Sequence, residues 1–116
     1  MSAQLDLFAS IGPVLQQKPV EPSGHICTDD EINERIILRG RRVSLEIELA
    51  RDGPHWIFST SFHGPTGGYC YRIGRKWGKS ADSRADALHF ARKEIMIRAA
   101  SHNGFSEVSG LLEKLQ

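Results

Sequence analysis

The strongest constraint on the fold of this chain is the segment VSLEIEL, residues 43–49, in which apolar and polar side chains alternate without a break. Its apolar positions are Val43, Leu45, Ile47 and Leu49. A period of two residues places these side chains on one face of an extended strand and the serine and glutamates on the other. The segment therefore predicts a strand with one face buried beneath a second layer.

Two more strands are predicted after this one. Asp52-Gly53-Pro54 indicates a turn, and the segment WIFSTSFH that follows places three aromatic residues on one face: Trp56, Phe58 and Phe62. The segment GPTGG, residues 64–68, indicates a second turn. The next strand is expected to bring three apolar residues to the same side: Tyr69, Tyr71 and Ile73. Short connections between successive strands favour a three-stranded antiparallel meander.

Two segments combine a capping signal with helical spacing. Thr28 and Glu31 match the T-x-x-E capping box, which predicts a helix over residues 29–39. Ser83 and Asp86 form an equivalent box ahead of a longer helix. The apolar stripe of that helix comprises Ala87, Leu88, Ala91, Ile95 and Ala99, widened by Phe90 and Ile97. A short last helix is expected over residues 106–115.

These elements predict an α+β domain, a two-layer sandwich of order α-β-β-β-α with helices on one face of a three-stranded antiparallel sheet. Over residues 28–100 this order resembles the double-stranded RNA-binding fold in topology. Members of that family grip phosphates with a lysine-rich start to their last helix. The corresponding segment here is KSADSRADA, with Asp82 and Asp86 where the family has positive charge.

Composition and charge divide the chain into two parts. Residues 1–34 carry one lysine against six acidic residues, whereas residues 35–98 carry thirteen lysines and arginines against six acidic residues. Such segregation favours a polyanionic partner for the basic part, or an acidic segment that folds over it. We predict a flexible tail over residues 1–27, in which three prolines interrupt any periodicity, and a single domain over residues 28–116.

Several classes of protein are not expected. No apolar run approaches the ~20 residues that a membrane span needs, and the start of the chain lacks the pattern of a secretion signal. Two cysteines, Cys27 and Cys70, make a poor disulfide framework, so a reducing cytoplasm is the simpler expectation. The five histidines show no H-E-x-x-H pattern and there is no C-x-x-C pair. We therefore expect neither a metal cofactor nor an enzyme.

The pentapeptide QLDLF, residues 4–8, resembles the motif by which bacterial replication and repair proteins bind the β sliding clamp. The resemblance implies that Gln4 hydrogen-bonds at the rim of the clamp's pocket and that Leu7 and Phe8 are the buried anchors. It further implies that Leu5 is a secondary apolar contact and that Asp6 occupies a tolerant middle position. The alternative is that the apolar residues dock back onto the domain or form an edge strand.

The segment RIGRKWGKS, residues 72–80, is the best candidate for nucleic-acid contact. Cations attract phosphates by releasing condensed counterions, and an aromatic ring stacks on an exposed base. The candidate residues, extended into the next helix, are Arg72, Arg75, Lys76, Trp77, Lys79, Arg84, Arg92 and Lys93. The alternative is that Trp77 closes the edge of the core and the cations are only solvated.

The sequence thus predicts a small accessory protein that docks on the sliding clamp and engages DNA, RNA or a protein of replication or repair through a basic body. A second hypothesis is an inhibitor of phage or plasmid type that acts on a host nucleic-acid-binding complex. Steep salt dependence of nucleic-acid binding would favour the first, because phosphate contacts weaken as salt rises.

Overall fold

The alternating segment forms the centre of an antiparallel sheet in the computed structural model, which describes residues 16–17 and 24–115. The strands are β1 Gln16–Gln17, β2 Glu34–Arg39, β3 Ser44–Asp52, β4 His55–Gly64, β5 Gly67–Cys70 and β6 Lys79–Ala81. The helices are α1 Arg84–Ala99 and α2 Val108–Leu112. Single 3-10 turns lie at Asp29–Glu31, Arg75–Trp77 and Phe105–Glu107. The α+β class is confirmed.

The sheet is larger than the predicted meander. Its order is β1-β6-β4-β3-β2, and β5 also pairs with β4. Strands β3 and β4 pair along their whole length, with Leu45 opposite Phe62 and Leu49 opposite Phe58. Strands β5 and β6 share one edge of β4, since β5 pairs with its last four residues and β6 pairs with Trp56 and Ile57. The predicted three strands are therefore present, joined by further short strands at both edges.

The helix predicted over residues 29–39 is wrong beyond its first turn. The Thr28 N–H donates to the Glu31 carboxylate at 2.8 Å, which is the contact that the glutamate of a capping box makes. From Glu34 the chain is instead strand β2, in which partly buried and exposed residues alternate. Ile36 and Leu38 pair with the two central apolar residues of β3. The strand satisfies backbone groups along an edge of β3 that would otherwise be unpaired.

The main core lies between the sheet and helix α1. The predicted stripe of α1 is confirmed, since all five of its members are buried: Ala87, Leu88, Ala91, Ile95 and Ala99. They pack with the apolar face of β3 and β4 and with three residues of α2: Val108, Leu111 and Leu112. Ile97 does not widen the stripe, because its position on α1 leaves it 73% exposed. The last helix is shorter than predicted and follows a 3-10 turn.

A second, smaller core lies on the opposite face of the sheet. It consists of Cys27, Ala50, Ile57 and Ile73, with Ile32 packed against it. Ile73 therefore does not share a side with Tyr69, because β5 ends at Cys70 and the chain then turns to the other face. The Cys27 N–H donates to the Ile73 carbonyl at 2.9 Å, which ties the backbone of Cys27 to this second core.

The start of helix α1 is set by the second predicted capping residue. The Ser83 hydroxyl accepts a hydrogen bond from the Asp86 N–H at 3.1 Å. This contact satisfies one of the free backbone donors of the first turn. Among the described residues no helix is both long and apolar enough to cross a membrane.

Candidate functional site

The predicted basic loop is a single 3-10 turn, Arg75–Trp77, between strands β5 and β6. Glycines bound it on both sides, and Gly78 has a φ of 68°, in the region that favours glycine. The segment before β2 anchors the loop, since the Lys76 N–H donates to the His25 carbonyl at 3.3 Å. The loop is therefore anchored at its backbone.

Trp77 is half-buried and fixed in place. Its indole N–H donates to the Arg72 carbonyl at 2.6 Å, and its ring meets the ring of Tyr71 edge to face with centroids 5.6 Å apart. The Lys76 ammonium lies 5.2 Å from the ring centroid, within cation–π range. The indole therefore positions the loop, and the Lys76 ammonium lies over the indole ring.

The two arginines of the loop region remain accessible although each has an acidic neighbour. Arg72 contacts Asp29 at 3.3 Å and donates to the Cys27 carbonyl at 3.2 Å. Arg75 lies 3.9 Å from Asp52. The side chains of Arg72 and Arg75 are 61% and 59% exposed. Exposed pairs of this kind are worth about 0–1 kcal/mol, so a phosphate can compete for both guanidinium groups.

The other predicted cations fall outside this loop surface. Lys79 is only 23% exposed and pairs with Glu94 of helix α1. Arg84 pairs with Glu34 at the start of β2 through two hydrogen bonds. Arg92 and Lys93 are exposed on α1, beside a groove of about 580 Å³ between the two helices. The structure therefore groups only Arg72, Arg75, Lys76 and Trp77 as one loop.

Sequence reasoning missed a polar cluster around Glu94. The Glu94 carboxylate pairs with Lys79 and accepts hydrogen bonds from Thr60 and, at 2.5 Å, from the Tyr71 hydroxyl. The Tyr69 hydroxyl and Thr60 hydroxyl are 2.8 Å apart. These groups come from the middle of β4, from β5 and the residue that follows it, from β6 and from α1. They cross-link the sheet to the helix at one point.

The protonation states of this cluster follow from its burial and hydrogen bonds. Burial alone would raise the pKa of Glu94, but the hydrogen bonds from Lys79, Thr60 and Tyr71 outweigh it and hold the pKa below its ordinary value. Burial raises the pKa of Tyr71, and its bond to the Glu94 carboxylate raises it further. At neutral pH the cluster therefore contains an ionised carboxylate and a neutral phenol.

A cleft of about 430 Å³ opens beside this cluster. Phe58, Phe90 and Ile97 supply its apolar wall, and the charged residues of its wall are Lys79, Lys93, Glu94 and Arg98. The Arg98 guanidinium lies 3.8 Å from the Tyr69 ring centroid. Because the groups of the cluster bind one another, the cleft presents mainly the exposed side chain of Lys93 and the apolar wall.

A third group of polar side chains lies in the segment that precedes β2. His25, Cys27 and Glu31 place one ligand-competent atom each within 4.8 Å of the others. Cys27 is buried, whereas His25 and Glu31 are exposed. These are residue types that hold transition metals.

No protein-family model, curated protein or solved structure matches this chain. The pentapeptide QLDLF lies outside the described residues, so the structure gives no geometry for Gln4, Leu5, Asp6, Leu7 and Phe8.

A sequence signal for the Glu94 cluster does exist in retrospect. Glu94 lies three residues after Ala91 and directly before Ile95, both fully buried. A carboxylate at this spacing sits at the border of the buried stripe of a helix and requires a partner there. The partners themselves come from distant strands and are set by the register of the sheet.

Proposed function

We propose that this chain is an accessory protein that docks on the bacterial β sliding clamp through Gln4–Phe8 and uses its α+β body to engage DNA or a replication or repair protein. The observation that carries the proposal is the match of QLDLF to the clamp-binding pentapeptide. Leu7 and Phe8 are its apolar anchors, and Gln4 is its polar contact.

The packing of the body supports a separate role for the pentapeptide. Phe62, Leu49 and Ile95 are fully buried, and the core around them is built from residues 43–112. A domain with a filled core of its own is expected to fold without the apolar side chains of residues 4–8. Those side chains are then available to a partner, where a few anchors must outweigh the entropy of ordering a peptide.

The loop of Arg72, Arg75, Lys76 and Trp77 supports a nucleic-acid contact by the body. Its two arginines are more than half exposed, and their acidic neighbours form only weak pairs. Tethering to the clamp raises the effective concentration of such a loop near DNA, so that neither contact needs to be tight alone.

Calorimetry with purified bacterial sliding clamp tests the docking. The intact chain is expected to bind, and a Leu7→Ala, Phe8→Ala double variant is expected to lose binding because both anchors are removed. A Val14→Ala, Leu15→Ala double variant is the matched control, since it truncates two apolar residues of the same region outside the pentapeptide. Equal binding by the two double variants, or none by the intact chain, would refute the docking role.

A second candidate function is that of a phage- or plasmid-type inhibitor acting on a host nucleic-acid-binding complex. It is favoured by the pairing of Lys79 and Arg84 with Glu94 and Glu34, which removes two of the predicted phosphate ligands. The two functions differ in their response to salt. Phosphate contacts weaken steeply as salt rises, whereas a protein interface with few net charges changes little.

A further inference from the structure

The segment that leads into the sheet brings three different metal-ligand types together. The ligand atoms of His25, Cys27 and Glu31 all lie within 4.8 Å of one another, and His25 Nε2 is 2.9 Å from a Glu31 carboxylate oxygen. All three residues lie within seven positions of the chain. A backbone turn at Asp29–Glu31 folds the glutamate back toward the histidine and the cysteine.

These separations are close to those of a tetrahedral metal site. Bonds of about 2.3 Å to sulfur and about 2.0–2.2 Å to nitrogen and oxygen place neighbouring ligand atoms roughly 3.3–3.7 Å apart. The largest separation in the group, up to 4.8 Å, exceeds this by about 1 Å. The side chains of His25 and Glu31 are each 43% exposed, which leaves them room to rotate toward Cys27.

A cavity and a further carboxylate lie beside the three residues. A cavity of about 280 Å³ borders the same three residues and is also lined by Asp52. Arg51 and Arg75 form another part of its wall, and Arg75 is held 3.9 Å from Asp52.

We propose that His25, Cys27 and Glu31 form a binding site for a divalent transition-metal ion of the zinc class. The donor set of thiolate, imidazole and carboxylate matches the preferences of Zn²⁺. Three protein ligands leave a fourth position, which opens onto the cavity beside Asp52. The site is independent of clamp docking.

Metal binding at this site would hold the basic loop against the sheet. The backbone of residues 25–27 contacts the loop directly, through a bridge between Ile26 and Gly74 and a hydrogen bond from the Lys76 N–H to the His25 carbonyl. A metal that fixes His25 and Cys27 therefore restrains the backbone on which Arg75 and Trp77 stand. The ion would therefore join residues 25–31 to the loop.

Titration of the full reduced chain with Co²⁺ tests the site. The expected result is one equivalent of Co²⁺, seen as a thiolate-to-cobalt charge-transfer absorption. Cys27→Ser is expected to abolish this absorption, because serine provides no thiolate. Cys70→Ser is the matched control and is expected to retain it, since Cys70 is exposed on β5 and outside the group. The Leu7→Ala, Phe8→Ala variant is also expected to retain it.

Cys27 is buried, so its replacement can disturb the fold as well as the site. Two variants at the exposed ligands therefore test the site independently of Cys27. Glu31→Gln retains a side-chain oxygen that accepts from the Thr28 N–H and removes the carboxylate; His25→Ala removes the imidazole. Each is expected to weaken Zn²⁺ binding by at least about tenfold in competition with a chromophoric chelator, since even changes to the partners of metal ligands cost about 10–100-fold. Circular dichroism checks the fold.

Three results would overturn the site. The first is the absence of cobalt absorption in the full chain, and the second is its loss in Cys70→Ser with retention in folded Cys27→Ser. The third is unchanged Zn²⁺ affinity in both Glu31→Gln and His25→Ala.

Discussion

Lys79 of strand β6 forms an ion pair with Glu94 of helix α1, on the face of the sheet that the helix covers. The Tyr71 hydroxyl bonds to both, accepting from the lysine ammonium at 2.9 Å and donating to the carboxylate at 2.5 Å. These contacts join β6, a strand of only three residues, to helix α1. The pair links the end of the basic loop to the main core.

Replacement of Glu94 by glutamine is expected to lower the free energy of unfolding by about 2–3 kcal/mol. Removing one partner of a fully buried pair costs about 3–5 kcal/mol, and partial exposure of both side chains reduces the loss. Chemical denaturation measures it. Glu113→Gln, at an exposed position after α2, is the control and is expected to stay within about 0.5 kcal/mol of the parent. Equal stabilities of the two variants would show that the pair adds nothing.

The same pair makes stability depend on pH in a defined direction. The hydrogen bonds of Glu94 hold its pKa in the folded chain below the ordinary value, so its contribution is complete above the unfolded pKa of about 4.3 and is lost as pH falls through the folded pKa. The stability difference between the parent and Glu94→Gln is therefore expected to be constant near neutral pH and to shrink below about pH 4.3. Denaturation series at several pH values measure this difference.

The free energy of unfolding of Glu94→Gln is subtracted from that of the parent at each pH. This difference cancels the titration of other carboxylates, including Glu31 and Glu34, whose pKa values are also lowered by hydrogen bonds. A difference that grows on acidification would mean that the folded pKa of Glu94 is raised instead.

Periodicity predicts those elements that bury a single face against the core. Strand β3 and helix α1 follow from their patterns because each buries a regular stripe in a single direction. The prediction is wrong for residues 34–39, because Ile36 and Ile37 suit a helical stripe as well as a strand. The deciding factor was the unpaired edge of β3, which lies outside the segment itself.

The candidate site was harder to predict for the same physical reason. Strand β6 has three residues, too few to show any period. The partners of Glu94 are separated from it by up to 34 positions, and their contact depends on how β4 and β6 are registered. The cations of the loop were found from composition, but composition could not separate Lys79, which is paired, from Arg75, which is accessible.

Two glycines near the end of the chain are expected to respond in opposite ways to alanine. Gly110 lies in α2 with no atom within 4 Å of an added Cβ, so Gly110→Ala is expected to raise stability by about 0.5–1 kcal/mol through helix propensity. Gly104 has a φ of 87°, and a Cβ there would lie 2.6 Å from a methyl of Val43. Gly104→Ala is therefore expected to lower stability by about 1–3 kcal/mol. Thermal denaturation of both variants measures the two signs.

Nucleic-acid binding by the body is expected to depend on the loop. A triple variant with glutamine at Arg72, Arg75 and Lys76 removes the two exposed arginines, which their acidic neighbours hold only weakly, and the half-buried Lys76 beside them. Each lost phosphate contact lowers the slope of log affinity against log salt by about 0.9 on duplex DNA, so the slope is expected to fall by about 2–3. Fluorescence anisotropy with labelled duplex and single-stranded DNA at several salt concentrations gives this slope.

A charge-matched control separates a specific loop from general attraction. Arg41, Arg42 and Lys114 are exposed elsewhere on the described surface, and their change to glutamine removes the same formal charge. This control is expected to weaken binding only slightly and to leave the salt slope nearly unchanged. If both triple variants lose the same slope, the body attracts nucleic acid through its overall charge, and the anchored position of Trp77 serves the fold alone.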